Sequence, residues 1–452
     1  MNIIIVGCGK VGRKLAQQLI SEHEHNITVV DIKRDVLNDT VDKLDIIGFT
    51  GSGTSIKTLK EAGVENTDIL IAVTGSDEIN LLSCFIAKKI SNCKTIARVR
   101  EPDYKTAINL IKEDLGLAMT INPEKMAADQ IARIMRFPSA IQIDTFAKGR
   151  VEIFKMHVPE NSVLDNLKIS DIDSKLNTNI LVCGVERGDQ AFIPDGSFVI
   201  QKDDYISIVA SIEERNNFFK KTGIKTNPIK NTMIVGGGTT AYYLAERLIQ
   251  SGVNVKIVEK NSKWCEELCV LLPKAVIINA DGTNVNLLLE EGIENIDSFV
   301  SLTNIDEENV VLSLYAKTKT NGKIITKINR IEYDNVLENL DIGTTVYPKE
   351  ITAETIVKFV RAACNTIGSE VETMHMILDG KAEALEFRIA KDSKIINIPL
   401  YKLNLKQNVL VACINRNGNI IIPKGSDSIF AGDTVIIVTK HEGFKDINDI
   451  LA

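Results

Sequence analysis

Apolar residues fall in short Ile/Val-rich runs at 3–6, 27–30, 46–48, 69–73, 95–99 and 118–121. Between them lie stretches such as 54–62 and 77–90, where apolar positions recur at helical spacing. Short β-branched runs alternating with amphipathic stretches predict parallel strands joined by crossover helices, a sheet covered on both faces. From about residue 140 the pattern changes. "ILVCGVERGDQAFIPDGSFVIQKDDYISIVA" (180–210) reads as short alternating strands, with a turn at Arg187-Gly188-Asp189 and another at Pro194-Asp195-Gly196. That predicts a small α+β lobe.

The chain is then written a second time. At a shift of 229, Gly7 falls on Gly236, Gly9 on Gly238 and Gly12 on Ala241. "GSGTSIKTLKEAG" (51–63) falls on "ADGTNVNLLLEEG" (280–292), and "DILIAVTGSDEIN" (68–80) on "DSFVSLTNIDEEN" (297–309). At a shift of 225, "NPEKMAADQIARIMR" (122–136) faces "YPKEITAETIVKFVR" (347–361). "NILVCGVERGDQAFIPDGSFVIQKDD" (179–204) matches "NVLVACINRNGNIIIPKGSDSIFAGD" (408–433). A period of half the 452 residues is a tandem pair of whole modules, not a solenoid. The expected fold is two tandem Rossmann-like, doubly wound parallel-sheet domains at 1–139 and 230–366. Each is followed by an α+β lobe, at 140–222 and 367–452, with "KTGIKTNPIKN" (221–231) linking the halves.

Composition narrows the function. Hydrophobic residues make up 44% and charged residues 25%, the profile of a soluble globular chain. A formal charge of −7 disfavours a nucleic-acid partner. No apolar run reaches the length of a membrane-spanning helix, and the first strand begins too early to leave room for a signal peptide. Eight scattered cysteines without CxxC pairs fit a reducing, cytoplasmic compartment. Cys265 and Cys269, four apart on an expected helix, read as small packing side chains rather than metal ligands.

The glycine spacing carries the chemistry. In "GCGKVG" Gly7 permits a tight turn, Gly9 lets a pyrophosphate approach the backbone, and Gly12 lets helix and strand pack closely. Amides around Lys10, Val11 and Gly12 would face the phosphates at the helix N-terminus. Asp31 ends the second strand, where a carboxylate accepts ribose hydroxyls and disfavours the 2′-phosphate of NADP. The second copy has Gly236, Gly237 and Gly238, Ala241 for the third glycine, and Glu259 for the acid, with one residue lost between loop and acid. Further polar candidates stand at strand ends: Gly51, Ser52 and Thr54 with counterparts Ala280, Asp281 and Thr283, and Thr74 with Thr303. Arg98 corresponds to Lys327 and Arg100 to Asn329, and a basic group at these places could reach a phosphate or form a surface ion pair. Asp77 and Glu78, like Asp306 and Glu307, read most simply as residues that cap and start the next helix.

Catalytic machinery is absent from the pattern. The five histidines do not cluster, and His23 and His25 read as solvated residues in the turn before the second strand. Tyr315 and Lys319 have a Tyr-x-x-x-Lys spacing, but the first copy has Ile86 and Ile90 there. No Walker A lysine motif is present. The chain reads as a nucleotide reader, not an enzyme. An NAD-dependent oxidoreductase is the competing class.

In order, the glycine loop, the acidic strand end, "GTSIKTLKEAG", "TDILIAVTGSDEINLLSCFIAKK", "ARVREPDY" and "INPEKMAADQIARIMRFPSAI" closely resemble the RCK (KTN) domain, a nucleotide-sensing regulatory domain of potassium channels and transporters. "PDGSFVIQKDD" and "PKGSDSIFAGD" resemble its C-terminal lobe, and two copies in one chain are similar to the TrkA family of Trk regulatory subunits. The resemblance implies binding of NAD(H) and also of ATP or ADP. It implies a homo-oligomeric ring of RCK domains, peripheral on the inner face of the membrane, that gates a potassium-translocating subunit of TrkH or TrkG type. It assigns Gly7, Gly9, Gly12, Asp31 and Arg98 to the first site, and Gly236, Gly238, Glu259, Asp281 and Lys327 to the second. Ser52, where single-domain relatives often carry an acid, and Ala241 depart from the pattern, and the preference of each pocket stays open. So does the transported ion, because selectivity is built in the pore, and a nucleotide-sensing regulator of a different cation carrier, such as an antiporter or a sodium-coupled system, is the third class. A C-terminal lobe could hold a further ligand such as a cyclic dinucleotide.

Overall fold

The computed structural model describes residues 1–21, 25–100, 104, 112, 115–136, 140–160, 162–222, 229–330, 340, 342–364, 371–378, 380–441, 443–444 and 446–452. Residues 101–103 and 137–139 of the family motifs, 223–228 of the expected linker, and His23 lie outside them. The chain forms two compact units that group lobes by kind rather than by half: 1–135 with 229–360, and 136–228 with 361–452.

In the first half β1 (Asn2–Val6), β2 (Asn26–Asp31), β3 (Ile47–Thr50), β4 (Ile69–Ala72), β5 (Lys94–Arg98) and β6 (Leu117–Ile121) form one sheet in the order β3-β2-β1-β4-β5-β6. All neighbours are parallel. Each strand matches its apolar run to within a residue or two. Ile3 to Val6 and Ile69 to Ala72 are wholly buried, which explains why these runs are continuous rather than alternating. Between β1 and β4 the strand order reverses, and ligands of open α/β sheets bind at that crevice.

The first α+β lobe contains β7 (Ala140–Phe146), β8 (Val151–His157), β9 (Leu181–Arg187), β10 (Gln190–Phe192) and β11 (Tyr205–Ser211), antiparallel in the order β10-β9-β11-β8-β7. The turn expected at Arg187-Gly188-Asp189 joins β9 to β10, with Gly188 at φ +55°. The helix Ile212–Thr222 continues into the stretch read as linker, because Phe218, Phe219 and Thr222 are buried.

The second half repeats the plan. β12 (Asn231–Val235), β13 (Asn254–Glu259), β14 (Val276–Asn279), β15 (Ser298–Ser301), β16 (Lys323–Lys327) and β17 (Thr344–Val346) take the order β14-β13-β12-β15-β16-β17. β18 (Val371–Ile377), β19 (Ala382–Arg388), β20 (Val409–Arg416), β21 (Asn419–Ile421) and β22 (Thr434–Thr439) make the second antiparallel sheet.

Within the second unit the two lobes share a core that brings Phe146, Val151 and Cys183 together with Ala384, Cys413 and Ile436. Each lobe has a fork at the same place. Arg187 donates to both carboxylate oxygens of buried Asp204 at 2.8 Å, and Arg416 to Asp433 at 2.8 Å. Among the described residues no helix is long and apolar enough to cross a membrane.

Within the first unit, the helix Pro123–Arg136 of one half packs on Thr239–Gln250 of the other. Ala127, Ala128 and Ile131 share a core with Ala241, Leu244 and Ala245. Asn122 Nδ2 donates to the Tyr243 hydroxyl at 3.1 Å, and Arg247 pairs with Asp129 at 2.8 Å. Lys14 pairs with Glu350 at 3.2 Å across the same pseudo-symmetric boundary.

Candidate functional site

Each half places a cavity at its sheet crevice. In the first, β1 ends at Val6 and the chain turns through Gly7 at φ +104°, which a side chain would strain. A Cβ on Gly12 would stand 1.8 Å from the Gly7 carbonyl oxygen, so helix and loop can touch only through glycine. Gly9 is different. A Cβ there would meet nothing within 4 Å, and the same holds for Gly238. With no internal reason to be glycine, both leave room for something outside the protein.

The acids brace the loops. Asp31 accepts from the Cys8 amide at 2.6 Å and the Lys33 amide at 2.8 Å. Glu259 accepts from the Gly237 and Asn261 amides, both at 2.8 Å. The longer glutamate thus makes the same pair of bonds where the second copy has lost a residue. A carboxylate has about four acceptor positions, so each acid keeps capacity for ribose hydroxyls. Burial and the Asp31 charge push the Cys8 thiol up to about 12, which leaves it neutral beside the loop.

The remaining candidates gather on the same walls. The first cavity, about 660 Å³, is lined by Gly7, Gly9, Lys10, Val11, Asp31, Ser52, Thr74 and Arg98. The second, about 630 Å³, is lined by Gly236, Gly238, Glu259, Asp281, Thr303 and Lys327. Gly12 and Ala241 do not line them; they act from behind, where helix meets loop. Ser52 Oγ lies 2.8 Å from Thr54 Oγ1. Asp281 accepts from the Thr283 amide at 2.9 Å and hydroxyl at 2.7 Å, which hold its carboxyl below the ordinary aspartate value. Arg98 reaches Glu124 at 3.1 Å. Lys327 donates to the Leu302 carbonyl at 3.0 Å, and burial lowers its pKa to about 8.

Two groups of residues were not legible as site residues. Asn80 and Asn309, fully buried, accept from the amides of Thr74 at 2.8 Å and Thr303 at 2.9 Å. Both donate to the next strand end, at the Arg98 and Lys327 carbonyls, each at 2.9 Å. The signal was present in the repeated "DEIN" and "DEEN". The other group crosses the halves: Lys349 lines the first cavity and Glu124 the second, beside the candidates Asn329 and Arg100, whose place in the other half's cavity the spacing did not show.

Several expectations change. Ser76, not Asp77, caps its helix, accepting from the Ile79 amide. Asp77 instead accepts from the Arg100 amide at 2.7 Å, and Asp306 from the Asn329 amide at 2.9 Å, so each fixes the loop after the fifth strand. His25 is half-buried rather than solvated. Tyr315 packs on the core while Lys319 lies 5.8 Å from its ring, and neither lines either glycine-loop cavity. Cys265 is buried and Cys269 exposed, and no group of described side chains could hold a metal ion.

The family model described as the TrkA-N domain matches residues 3–123 and 232–348, and the TrkA-C domain matches 153–223 and 384–452. The chain is 31% identical over 455 residues to Trk system potassium uptake protein TrkA homolog 1 of Methanosarcina mazei, covering 99% of each. It is 30% identical over 444 residues to TrkA of Haemophilus influenzae, covering 97% of this chain and 95% of that one. Among solved structures it resembles the GsuK RCK domain at TM-score 0.65 and 17% identity, covering 97% of this chain and 92% of that one. The GsuK channel bound to NAD gives TM-score 0.64 at 16% identity, with 97% and 76% covered. GsuK bound to ADP gives 0.50 at 16%, with 79% and 69% covered. With both domain types matched twice and relatives aligned from end to end, the chain belongs to the TrkA family, potassium uptake proteins of Trk systems and not a family of enzymes.

Proposed function

We propose that the chain is the nucleotide-sensing regulatory subunit of a Trk-type potassium uptake system. It binds NAD(H), with ATP or ADP as alternative ligands, and gates a membrane translocating subunit of TrkH or TrkG type. The observation that carries this reading is the pair of glycine-loop cavities in one compact unit, each completed by residues of the other half. A ligand filling either cavity touches both halves, so it can favour one relative arrangement over another by its difference in affinity for the two. The NAD and ADP complexes of GsuK support the choice of ligands.

Assembly into a ring of RCK domains is part of the proposal. Large apolar side chains are exposed at matching positions of the two halves, Leu82 with Val311 and Ile56 with Val285, as surfaces awaiting further copies would be. The chain would then sit in the cytoplasm, held at the membrane by its partner.

Reconstitution with the translocating subunit in potassium-loaded vesicles tests the reading. Potassium flux should respond to NADH and to ATP or ADP, and the response should vanish in a chain carrying both Asp31→Ala and Glu259→Ala. Flux indifferent to every nucleotide would refute it.

A further inference from the structure

Glu124 and Lys349 hold the same place in their halves, the second residue of the helices Pro123–Arg136 and Pro348–Cys364, yet carry opposite charges. Each lines the cavity of the other half: Lys349 the first, Glu124 the second, with Glu124 also reaching the first. The pseudo-symmetry that makes the two cavities alike in shape therefore makes them unlike in field.

The remaining charged lining residues extend the contrast. The first cavity holds Lys10, Lys33, Arg98 and Lys349 against Asp31 and Glu124. The second holds Arg100, Lys260 and Lys327 against Glu124, Glu259, Asp281 and Glu308. Basic groups outnumber acidic ones in the first, and acidic ones outnumber basic in the second. The glycine loop itself differs in the same sense, since Lys10 is replaced at the corresponding position by Thr239. Arg98 Nε is buried and makes no hydrogen bond, so a donor remains in the first cavity for an anion to take up. The basic group matching Arg98 is Lys327, whose Nζ gives one of its three donors to the Leu302 carbonyl.

We propose that the two cavities sort nucleotides by phosphate charge: the first favours a nucleoside triphosphate over a nicotinamide dinucleotide more strongly than the second does. A triphosphate carries more negative charge, and carries it at one end, so it gains more from a positive cavity and loses more in a negative one. Lys349 is the residue that sets the difference from across the boundary. This inference rests on both cavities binding nucleotides, and it adds which ligand class each prefers. A chain with two such cavities reads two ligand concentrations separately instead of reading one of them twice.

The test uses the full chain with one cavity disabled at a time. Glu259→Ala leaves the first cavity and Asp31→Ala the second, and each is titrated calorimetrically with ATP and with NADH. The ratio of ATP to NADH affinity should be higher for the first. Adding Lys349→Glu to the Glu259→Ala chain should weaken ATP about tenfold while changing NADH far less. Lys349→Gln, a milder change, should move ATP in the same direction by a smaller factor. Equal ratios in the two cavities, a higher ratio in the second, or equal weakening of ATP and NADH by Lys349→Glu would overturn the sorting. No binding of either nucleotide to the wild-type chain would overturn the nucleotide reading itself.

Discussion

Replacing Gly12 by alanine tests how the first glycine loop is built. The added Cβ would lie 1.8 Å from the Gly7 carbonyl oxygen and 3.4 Å from a Val73 methyl. Contacts below 3.0 Å do not occur for real Cβ atoms, so loop and helix must part by about 1 Å. The loop cannot simply yield. Its Gly7 amide donates to the Val30 carbonyl at 2.8 Å, and its Cys8 amide to Asp31. Overpacking of this kind costs about 1–3 kcal/mol, and a rigid backbone neighbour puts Gly12→Ala at the upper end. Shifting the helix would also turn its first amides away from the place proposed for the phosphates of a nucleotide. Loss of one charge-assisted hydrogen bond, about 1.5 kcal/mol, weakens binding about tenfold. The second half supplies the control, because its helix already accommodates the fully buried Ala241 at the matching position. Ala241→Gly should cost only about 1 kcal/mol, the price of helix glycine, and leave the second cavity's affinity unchanged. Thermal unfolding and nucleotide titration of both variants give the answer. A Gly12→Ala chain with wild-type stability and wild-type affinity in the first cavity would refute the close packing inferred here.

Other expectations follow from particular groups. Lys327 is lowered to about 8 by burial, opposed in part by Asp306 and Glu124, so its charge is present below about pH 8 and lost above it. The second cavity's affinity for nucleotide should fall between pH 7 and pH 9, and Lys327→Met should remove that dependence; a flat wild-type profile would contradict it. The same depression makes the unfolded chain bind more protons than the folded one above about pH 8, so the cost that burying Lys327 puts on folding is full below that pH and is relieved as pH rises towards the ordinary lysine value. In the α+β lobes, Asp204→Ala strips the Arg187 fork and the Gln201 amide of their acceptor. Denaturant unfolding should show a loss of about 3 kcal/mol, with Asp433→Ala similar, whereas an unchanged midpoint would assign the forks no stabilising role.

Much of this architecture was readable in the chain, for physical reasons that differ by element. Strands β1 and β4 announce themselves because burial on both faces demands an unbroken run of Ile, Leu and Val. The glycine loop is readable because turn, close approach and helix packing each exclude side chains at fixed spacing. Asp31 and Glu259 were legible as strand-end acids, though not that they hold the loop amides. Asn80 and Asn309 escaped because their work is a hydrogen-bond bridge between adjacent strand ends, which leaves no periodicity. Glu124 and Lys349 escaped for another reason. Each lines the cavity of the other half, distant in sequence, and only the pairing of the two halves brings it there. The grouping of lobes by kind was likewise invisible, since a tandem repeat is equally compatible with two separate beads.

Central to the account is that one chain carries two working nucleotide pockets. Calorimetric titration of the wild-type chain with NADH, NAD, ATP and ADP, alongside Asp31→Ala and Glu259→Ala, tests it most directly. Two saturable sites per chain, with one lost in each variant and both in the double variant, is the predicted result. A folded wild-type chain that binds at one site or at none would contradict it.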